Sequence, residues 1–282
     1  MLNCICINVY LAVSKTLFKN LTYEGEKMLK DFDLTGKKAI VTGAASGLSL
    51  AMAEALHEHG AEIVIMDLSD QGESAASQLS SSGAKAHFVK VNLADRKDLT
   101  DKFFEALKIL GGEIDILVNG AGVQVSHASE DFTMEEWDFV LNVNLHAPFF
   151  LCRLAGREML KKGKGKIINI ASMASFFGGV KVPAYAASKG GVAQLTKALC
   201  NEWASRGINV NAIAPGYMET PLNAHITPDT NPERYEHYRT RTPAGRWGIP
   251  SDMKGLTVFL ASDACDFING AISPCDGGYL VR

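Results

Sequence analysis

Tyr185 and Lys189 lie four residues apart, a spacing that puts two side chains on one face of a helix, one turn apart. A lysine ammonium at this distance favours the phenolate, so it is expected to lower the pKa of Tyr185 from about 10 towards neutrality. A tyrosine with such a pKa can take a proton from an alcohol or return one to a carbonyl. The Tyr-x-x-x-Lys spacing alone is a weak signal, because an amphipathic helix with an exposed lysine also produces it.

Ser172 follows an apolar run, 166–171, that is typical of a parallel strand buried on both faces. Ser172 is therefore predicted at the carboxyl end of a strand, which is where open α/β sheets place their sites. This placement is the first of several observations that favour a catalytic role for Tyr185 and Lys189.

A glycine-rich turn from Gly43 to Gly47 joins a predicted strand to a helix that runs to about His59. Glycines let such a turn approach a pyrophosphate, whose charge meets the amides at the helix N-terminus. Asp67 ends the next predicted strand, where a carboxylate can accept hydrogen bonds from the adenosine ribose and would repel a 2′-phosphate. Since 68–70 contains neither Arg nor Lys, the sequence favours NAD over NADP.

Apolar runs alternate with helical patterns along most of the chain. The predicted strands are 37–42, 62–66, 86–91, 114–118, 166–171, 209–214 and 271–275. A long helical stretch follows Glu135, and the helix that contains Tyr185 is expected to end near Arg206. The alternation predicts an α/β fold, a doubly wound parallel sheet of the Rossmann type. We find no internal repeat or linker in the sequence, so 28–282 is predicted to form a single domain.

Residues 1–27 differ in character from the rest of the chain. Their apolar stretch is short and no positively charged segment precedes it, so a secretory signal is poorly supported. The segment from Glu24 to Met28 is what a purine-rich ribosome-binding site and a start codon would give if translated in frame. We therefore expect Met28 to be the natural start and 1–27 to be a gene-model artefact. The alternative is a real extension that packs on the domain or covers the cofactor.

The composition is that of an ordinary globular protein, with 47% apolar residues, 21% charged residues and a net charge of −3. Without a basic run there is no electrostatic footprint for nucleic acid, and no apolar run approaches the length of a membrane span. The six cysteines are scattered and form no CxxC pair, which fits a reducing cytoplasm. The histidines show no metal-ligand spacing, so no metal is expected.

Over about 34–282, the chain resembles the short-chain dehydrogenase/reductase family. The matching pieces are Thr42-Gly-Ala-Ala-Ser-Gly47, Asn119-Gly-Ala-Gly122, Asn142-Val-Asn144, Ser172, Tyr185-x-x-x-Lys189 and Pro215-Gly216. The resemblance implies that Tyr185 is the general acid/base and that Lys189 tunes it and binds the nicotinamide ribose. It also implies that Ser172 orients the substrate oxygen and that Asn144 holds a water for proton relay.

The resemblance further implies the cofactor NAD, a small-molecule substrate and a homotetramer. Residues of the glycine-rich turn and of the strand ends are expected to contact the cofactor. They are Gly43, Ser46, Gly47, Leu48, Asp67, Asn92, Leu93, Asn119, Ala121, Tyr185, Lys189, Pro215 and Gly216.

Two positions depart from the family pattern. Ser49 stands where the third glycine of the turn is usual, and Gly120 replaces the second asparagine of the usual Asn-Asn-Ala-Gly. Ser49 could weaken cofactor binding, although its hydroxyl can also donate a hydrogen bond. Neither departure indicates a dead enzyme, because the four expected catalytic positions are intact.

Long stretches resemble the branch of the family that acts on sugar acids, among them 207–218 and 243–248. That branch often carries basic residues after the position of Gly122, but here 123–127 reads Val-Gln-Val-Ser-His. Lys181, Arg239 or Arg241 could bind a substrate carboxylate instead. A bulky apolar ketone such as a steroid, a 3-oxoacyl thioester, or a non-catalytic nucleotide-binding role stay open as alternatives.

Overall fold

The fold is a seven-stranded parallel sheet with helices on both faces, as the sequence predicts. The computed structural model describes residues 30–282, so the predictions about 1–27 and the start at Met28 lie outside the described residues. The strands are β1 (Lys38–Thr42), β2 (Glu62–Asp67), β3 (Ala86–Lys90), β4 (Ile116–Asn119), β5 (Gly165–Ile170), β6 (Ile208–Pro215) and β7 (Ile272–Cys275). Their order in the sheet is β3-β2-β1-β4-β5-β6-β7, and the direction of winding reverses between β1 and β4.

The helices of the described residues alternate with these strands. They are α1 (Gly47–Glu58), α2 (Gln71–Ser80), α3 (Arg96–Ile109), α4 (Met134–Leu141), α5 (Ala147–Lys162), α6 (Pro183–Trp203), α7 (Pro232–Arg241) and α8 (Lys254–Ala261). One core cluster joins the sheet to α1, α2 and α8. A second cluster on the opposite face joins it to α3, α5 and α6.

The central strands are mainly apolar because both of their faces are covered. In β1, Ala39 and Val41 belong to one core cluster and Ile40 to the other, as the alternation of side chains along a strand requires. All of β5 and all of β6 are buried. This two-sided burial is the reason that continuous apolar runs marked the strands to within two residues of their observed ends.

The helical stretch after Glu135 runs without a break from Met134 to Lys162, in line with the prediction, but it is not α-helical throughout. A π-helical segment, Asn142–His146, separates α4 from α5, and Ala147 donates its backbone N–H to the carbonyl of Asn142. Such one-turn insertions are frequent at functional sites because they turn a side chain out of the regular helical register. Here the inserted turn contains Asn144, which is fully buried.

Candidate active site

A cavity of about 880 Å³ opens at the carboxyl ends of the strands, around the point where the winding reverses. This is the position at which open α/β sheets bind their ligands. The predicted site residues that line the cavity are Gly43, Ser46, Gly47, Leu48, Asp67, Asn92, Leu93, Ala121, Ser172, Tyr185, Lys189, Pro215 and Gly216. The fold therefore brings together residues that are more than half the chain apart in sequence.

Ser172, Tyr185 and Lys189 meet in the middle of this cavity. Ser172 follows β5 directly, in extended backbone, and its hydroxyl accepts the Ala174 N–H at 3.1 Å and shares a hydrogen bond with the Tyr185 side chain. Tyr185 lies in the first turn of α6, which begins at Pro183, the helix position that best tolerates proline. Lys189, one turn further, has its Nζ 5.7 Å from the centre of the Tyr185 ring.

Lys189 is buried, with only 3% of its surface exposed, and it is tied to the end of β5. Its Nζ donates to the carbonyl of Ile170 at 2.7 Å. The loop after β4 also passes near this Nζ. A Cβ on Gly122, in that loop, would lie 3.7 Å from the Lys189 Nζ and 3.7 Å from the Asn144 Oδ1. The ammonium therefore has a fixed place between β5 and the loop after β4.

Asn144 does not line the cavity, although the sequence predicted a catalytic part for it. Its Oδ1 accepts the Val123 N–H at 2.8 Å, and its Nδ2 donates to the Val123 carbonyl at 2.9 Å and to the Ser188 hydroxyl at 3.3 Å. These bonds join the loop after β4 to α6. The side chain thus positions the loop, while a water held for proton relay stays a prediction.

Asn119 was predicted to contact the cofactor, and its side chain also lies outside the cavity. It is buried at the end of β4, where its Nδ2 donates to Asn169 Oδ1 at 2.8 Å and to Cys152 Sγ at 3.3 Å. The side chain therefore fastens β4 to β5 and to α5 beneath the cavity floor.

The glycine-rich turn forms one end of the cavity. Gly43 has a φ of +71°, and a Cβ there would lie 2.6 Å from the Ala121 Cα, so this position admits only glycine without a shift of the backbone. Ser46 makes no side-chain cap at the start of α1, and the first turn carries no acidic residue. The first N–H groups of α1 are therefore free of side-chain acceptors and suit an anion.

Asp67 is the last residue of β2, and its side chain contacts this glycine-rich turn. Its Oδ2 accepts the Ala45 N–H at 3.0 Å, and its Oδ1 accepts the Ser69 N–H at 2.9 Å. Each carboxylate oxygen has a second lone pair, so Asp67 can also accept bonds from a ligand in the cavity. On the neighbouring strand β3, Lys90 is the register partner of Asp67. Its Nζ donates to both oxygens of Asp70, at 2.7 and 2.9 Å.

Another part of the cavity wall is formed by α7. Arg241, predicted as a candidate for a carboxylate, lines it, as do Arg234 and His237, which sequence reasoning missed. The two other candidates for a carboxylate partner, Arg239 and Lys181, do not line the cavity. Arg239 binds Glu236. The side chain of Lys181 is exposed, and its backbone carbonyl accepts the His127 N–H at 3.0 Å. The spacing of three and four residues along α7 is the signal that could have identified the missed pair.

Comparisons with known proteins agree with this geometry. Residues 43–280 match the family described as enoyl-(acyl carrier protein) reductase, a branch of the short-chain dehydrogenases. This chain is a short-chain dehydrogenase/reductase. It is 47% identical over 256 residues to the 2-dehydro-3-deoxy-D-gluconate 5-dehydrogenase of Bacillus subtilis (strain 168), covering 89% of this chain and 97% of that protein.

Two solved structures show this short-chain dehydrogenase/reductase fold with a cofactor. A gluconate 5-dehydrogenase from Burkholderia cenocepacia J2315, in complex with NADP and tartrate, is 37% identical, has a TM-score of 0.85 and covers 90% of this chain and 99% of its own. A relative from Agrobacterium tumefaciens with bound NADP is 44% identical, has a TM-score of 0.83 and covers 89% of this chain and 99% of its own.

The residues of this short-chain dehydrogenase/reductase fit a nicotinamide dinucleotide. The uncapped start of α1 offers N–H groups to a pyrophosphate, and Asp67 offers acceptors to a ribose. Lys189 supplies a buried cation close to the Tyr185 ring. When bound, such a cofactor supplies or accepts the hydride, and the protein supplies position and electrostatics.

The electrostatics of Tyr185 differ from the prediction. Burial raises the pKa of the Tyr185 phenol, and the hydrogen bond with Ser172 offsets only part of that rise. Burial also lowers the pKa of Lys189 to about 8, so that this side chain is still mostly charged at neutral pH. In the protein without its cofactor, Tyr185 is therefore a neutral phenol, which is the form that donates a proton to a carbonyl oxygen.

In the described part of the chain, no helix is both long and apolar enough to cross a membrane. Nor do residues 30–282 contain a group of three or more His, Cys, Asp or Glu side chains that could hold a metal ion.

Proposed function

We propose that this enzyme interconverts a secondary alcohol and a ketone on a keto-sugar acid, with NAD as its cofactor. The observation that carries the proposal is one cavity in which Ser172, Tyr185 and Lys189 face a wall of basic side chains on α7. The similarity to a 2-dehydro-3-deoxy-D-gluconate 5-dehydrogenase and to a gluconate 5-dehydrogenase supports the same class of substrate.

Tyr185 is the proposed general acid in the direction of reduction and the general base in the direction of oxidation. Its neutral phenol gives a proton to the developing alkoxide, and the hydrogen bond with Ser172 holds the substrate oxygen and the phenol in line. The Lys189 ammonium, buried and fixed on Ile170, stabilises the phenolate that remains. Asn144 completes the set by holding the loop after β4 in place and, in this proposal, a relay water.

The preference for NAD rests on Asp67. Its carboxylate lines the cavity, and the exposed side chain that follows it is Leu68, which cannot neutralise a 2′-phosphate. The solved relatives described above hold NADP, so the choice between the two cofactors is open to direct measurement.

We propose a homotetramer in the cytoplasm for the assembled enzyme. Large apolar side chains, Phe104 on α3 and Phe149 on α5, are 50% and 43% exposed, which supports a contact between copies. The cysteines of the described residues are free thiols, which supports a reducing compartment. They are Cys152, Cys200, Cys265 and Cys275. Light scattering during size-exclusion chromatography measures the oligomeric state.

An apolar ketone, either a steroid or a 3-oxoacyl thioester, is the second candidate substrate. Val123, Phe177 and Val180 line the cavity and favour it. A non-catalytic role is less consistent with the intact trio of Ser172, Tyr185 and Lys189.

A single screen tests the proposal. Keto-sugar acids, a steroid ketone and a 3-oxoacyl thioester are offered with NADH and with NADPH, and the absorbance of the reduced cofactor is followed. We expect oxidation of NADH with a keto-sugar acid at a higher kcat/KM than with either apolar ketone. Turnover of the apolar ketones alone would replace the proposal by the second candidate, and no turnover of any ketone would favour the non-catalytic role.

A further inference from the structure

One face of α7 carries all of its arginine and histidine side chains that line the cavity. Arg234, His237 and Arg241 follow one another at intervals of three and four residues and line the same wall of the cavity. Tyr238, between them, lines the wall as well. A helix with this spacing presents one continuous edge of positive charge and aromatic surface to whatever lies in the cavity.

The opposite side of α7 has its own charges, and they are neutralised. Arg239 binds Glu236 through two hydrogen bonds of 2.6 Å each, and its third donor reaches the Gly245 carbonyl at 3.0 Å. Asp67 is the one carboxylate among the described residues that line the cavity, and it binds the turn before α1. The basic edge of α7 therefore faces a cavity whose one carboxylate, among the described lining residues, is already bound to the turn before α1.

Arg241 is held in place without an ion pair in the described part of the chain. Its guanidinium lies 4.4 Å above the ring of Tyr279, which is 3% exposed and packs against Tyr217 and Phe177. This aromatic platform connects Arg241 to the loop that follows Ser172. A guanidinium stacked in this way keeps its edge free for two parallel hydrogen bonds to a carboxylate.

The two other cations of the edge are partly engaged. The Arg234 Nε donates to the Tyr238 hydroxyl at 3.1 Å, and His237 contacts the edge of the same ring at a centroid distance of 5.4 Å. Both lie nearer the start of α7 than Arg241. Arg234 adds to the positive field of the wall, while Arg241 keeps the free binding edge.

The loop after β4 contains no lysine or arginine at 123–127 that could bind a substrate carboxylate. Its segment 123–127 ends at His127, whose ring is paired with Glu136 at 2.8 Å. Lys189 is engaged by the Ile170 carbonyl on the catalytic side. An acid bound with its reacting carbon at Tyr185 therefore finds its cationic partner on α7.

We infer that the basic edge of α7 is the carboxylate subsite of the substrate pocket and that Arg241 is its specificity-determining residue. The inference rests on the proposed function, since it assigns the end of the pocket that receives the acid group of a keto-sugar acid. The same edge could meet another anion, the pyrophosphate of the cofactor, because both present paired anionic oxygens. The cofactor and the substrate are therefore tested separately.

The experiment compares Arg241→Gln with the matched control Arg239→Gln, which removes the same charge from the other face of the same helix. The substrates are 5-keto-D-gluconate and L-sorbose, in which a hydroxymethyl group replaces the carboxylate. We expect Arg241→Gln to raise KM for the acid roughly 10- to 100-fold, the loss typical of a hydrogen-bonded charge, with little change for L-sorbose. Arg241→Lys keeps the charge but loses the paired donors, so it should recover part of the affinity.

A binding measurement makes the result independent of turnover. D-Gluconate is titrated calorimetrically into the protein saturated with NADH, and NADH is titrated into the protein alone. Loss of gluconate affinity in Arg241→Gln, with NADH affinity unchanged and the control unaffected, supports the inference. An equal loss in both variants, a loss confined to NADH, or unchanged affinity for the acid would overturn it. If the wild type turns over no keto-sugar acid and binds no gluconate, the proposed function itself fails.

Discussion

Ser49 and Gly120 are in direct contact, so the two departures from the family pattern are one coupled change. A Cβ on Gly120 would overlap the Ser49 hydroxyl and would lie 3.0 Å from the Ser49 Cβ and 2.9 Å from the Thr42 carbonyl. Ser49 is buried, with 5% of its surface exposed, and both residues line the cavity. The serine therefore fits beside β1 because the residue after β4 has no side chain.

This contact predicts a specific coupling between the two positions. Gly120→Ala should lower the free energy of unfolding by about 1–3 kcal/mol, because overpacking forces the turn and β4 apart. In the double variant with Ser49→Gly the loss should shrink, with a coupling of about 0.5–3 kcal/mol, and the Thr42 carbonyl should prevent full recovery. Urea denaturation of the four proteins measures the cycle. Strictly additive effects would show that the two residues do not share this space.

The second prediction concerns the proton donor. Tyr185→Phe removes the phenol and leaves the ring beside Lys189, so NADH affinity should stay close to that of the wild type. The loss of a general acid should lower kcat by about 10²–10⁴-fold. Steady-state kinetics with the best ketone of the screen and calorimetry with NADH separate the two effects. Turnover near the wild-type rate would remove Tyr185 from its proposed role.

The third prediction follows from the buried cation. Burial lowers the pKa of Lys189 to about 8 in the folded protein, below its usual 10.5. Between these two pH values the unfolded chain binds the extra proton, so this residue makes stability rise with pH, by up to about 1.4 kcal/mol per unit. Below pH 8 both states are protonated and the contribution is constant.

Lys189→Met is the comparison for this pH dependence. The difference in unfolding free energy between the wild type and Lys189→Met, both without cofactor, should change steadily in favour of the wild type from pH 8 to pH 10. Urea denaturation at several pH values provides the measurement. Parallel curves for the two proteins across this range would contradict the lowered pKa.

The fourth prediction is that Asp67 sets the cofactor preference. With NAD the carboxylate can accept bonds from the ribose hydroxyls, whereas with NADP it meets a phosphate of like charge. Because water partly screens this edge of the cavity, we expect a preference for NADH of roughly ten- to a thousandfold in kcat/KM, or about 1.4–4 kcal/mol. Asp67→Ser with Leu68→Arg should narrow or invert it, since a guanidinium can bind the phosphate through two hydrogen bonds.

Lys90→Ala provides the control for this fourth prediction. Lys90 is bound to Asp70 beside the same strand ends, so its loss should leave the ratio of kcat/KM for NADH and NADPH unchanged if Asp67 decides it. Equal use of both cofactors by the wild type would end the argument for NAD. A gain in NADH preference in Lys90→Ala would indicate that Lys90 leaves Asp70 to meet the phosphate.

The sequence by itself determined the sheet and the meeting of Ser172, Tyr185 and Lys189 in one cavity. The strands could be predicted because strands such as β5 and β6 are buried on both faces, which makes their sequences mainly apolar. The placement of Ser172, Tyr185 and Lys189 could be predicted because it depends on residue type and on spacing along one strand end and one helix. Local spacing was also enough to place Asp67 at the end of β2.

The tertiary structure decided what depends on contacts between distant segments. The sign of the Tyr185 pKa shift follows from burial, which outweighs the opposing hydrogen bond with Ser172. The fit of Ser49 against Gly120 joins a helix to the end of another strand, and no local pattern records it. Arg241, rather than Arg239, is the proposed carboxylate partner because its face of α7 meets the cavity. The sequence shows which residues share a helix face, but not which face packs against the cavity.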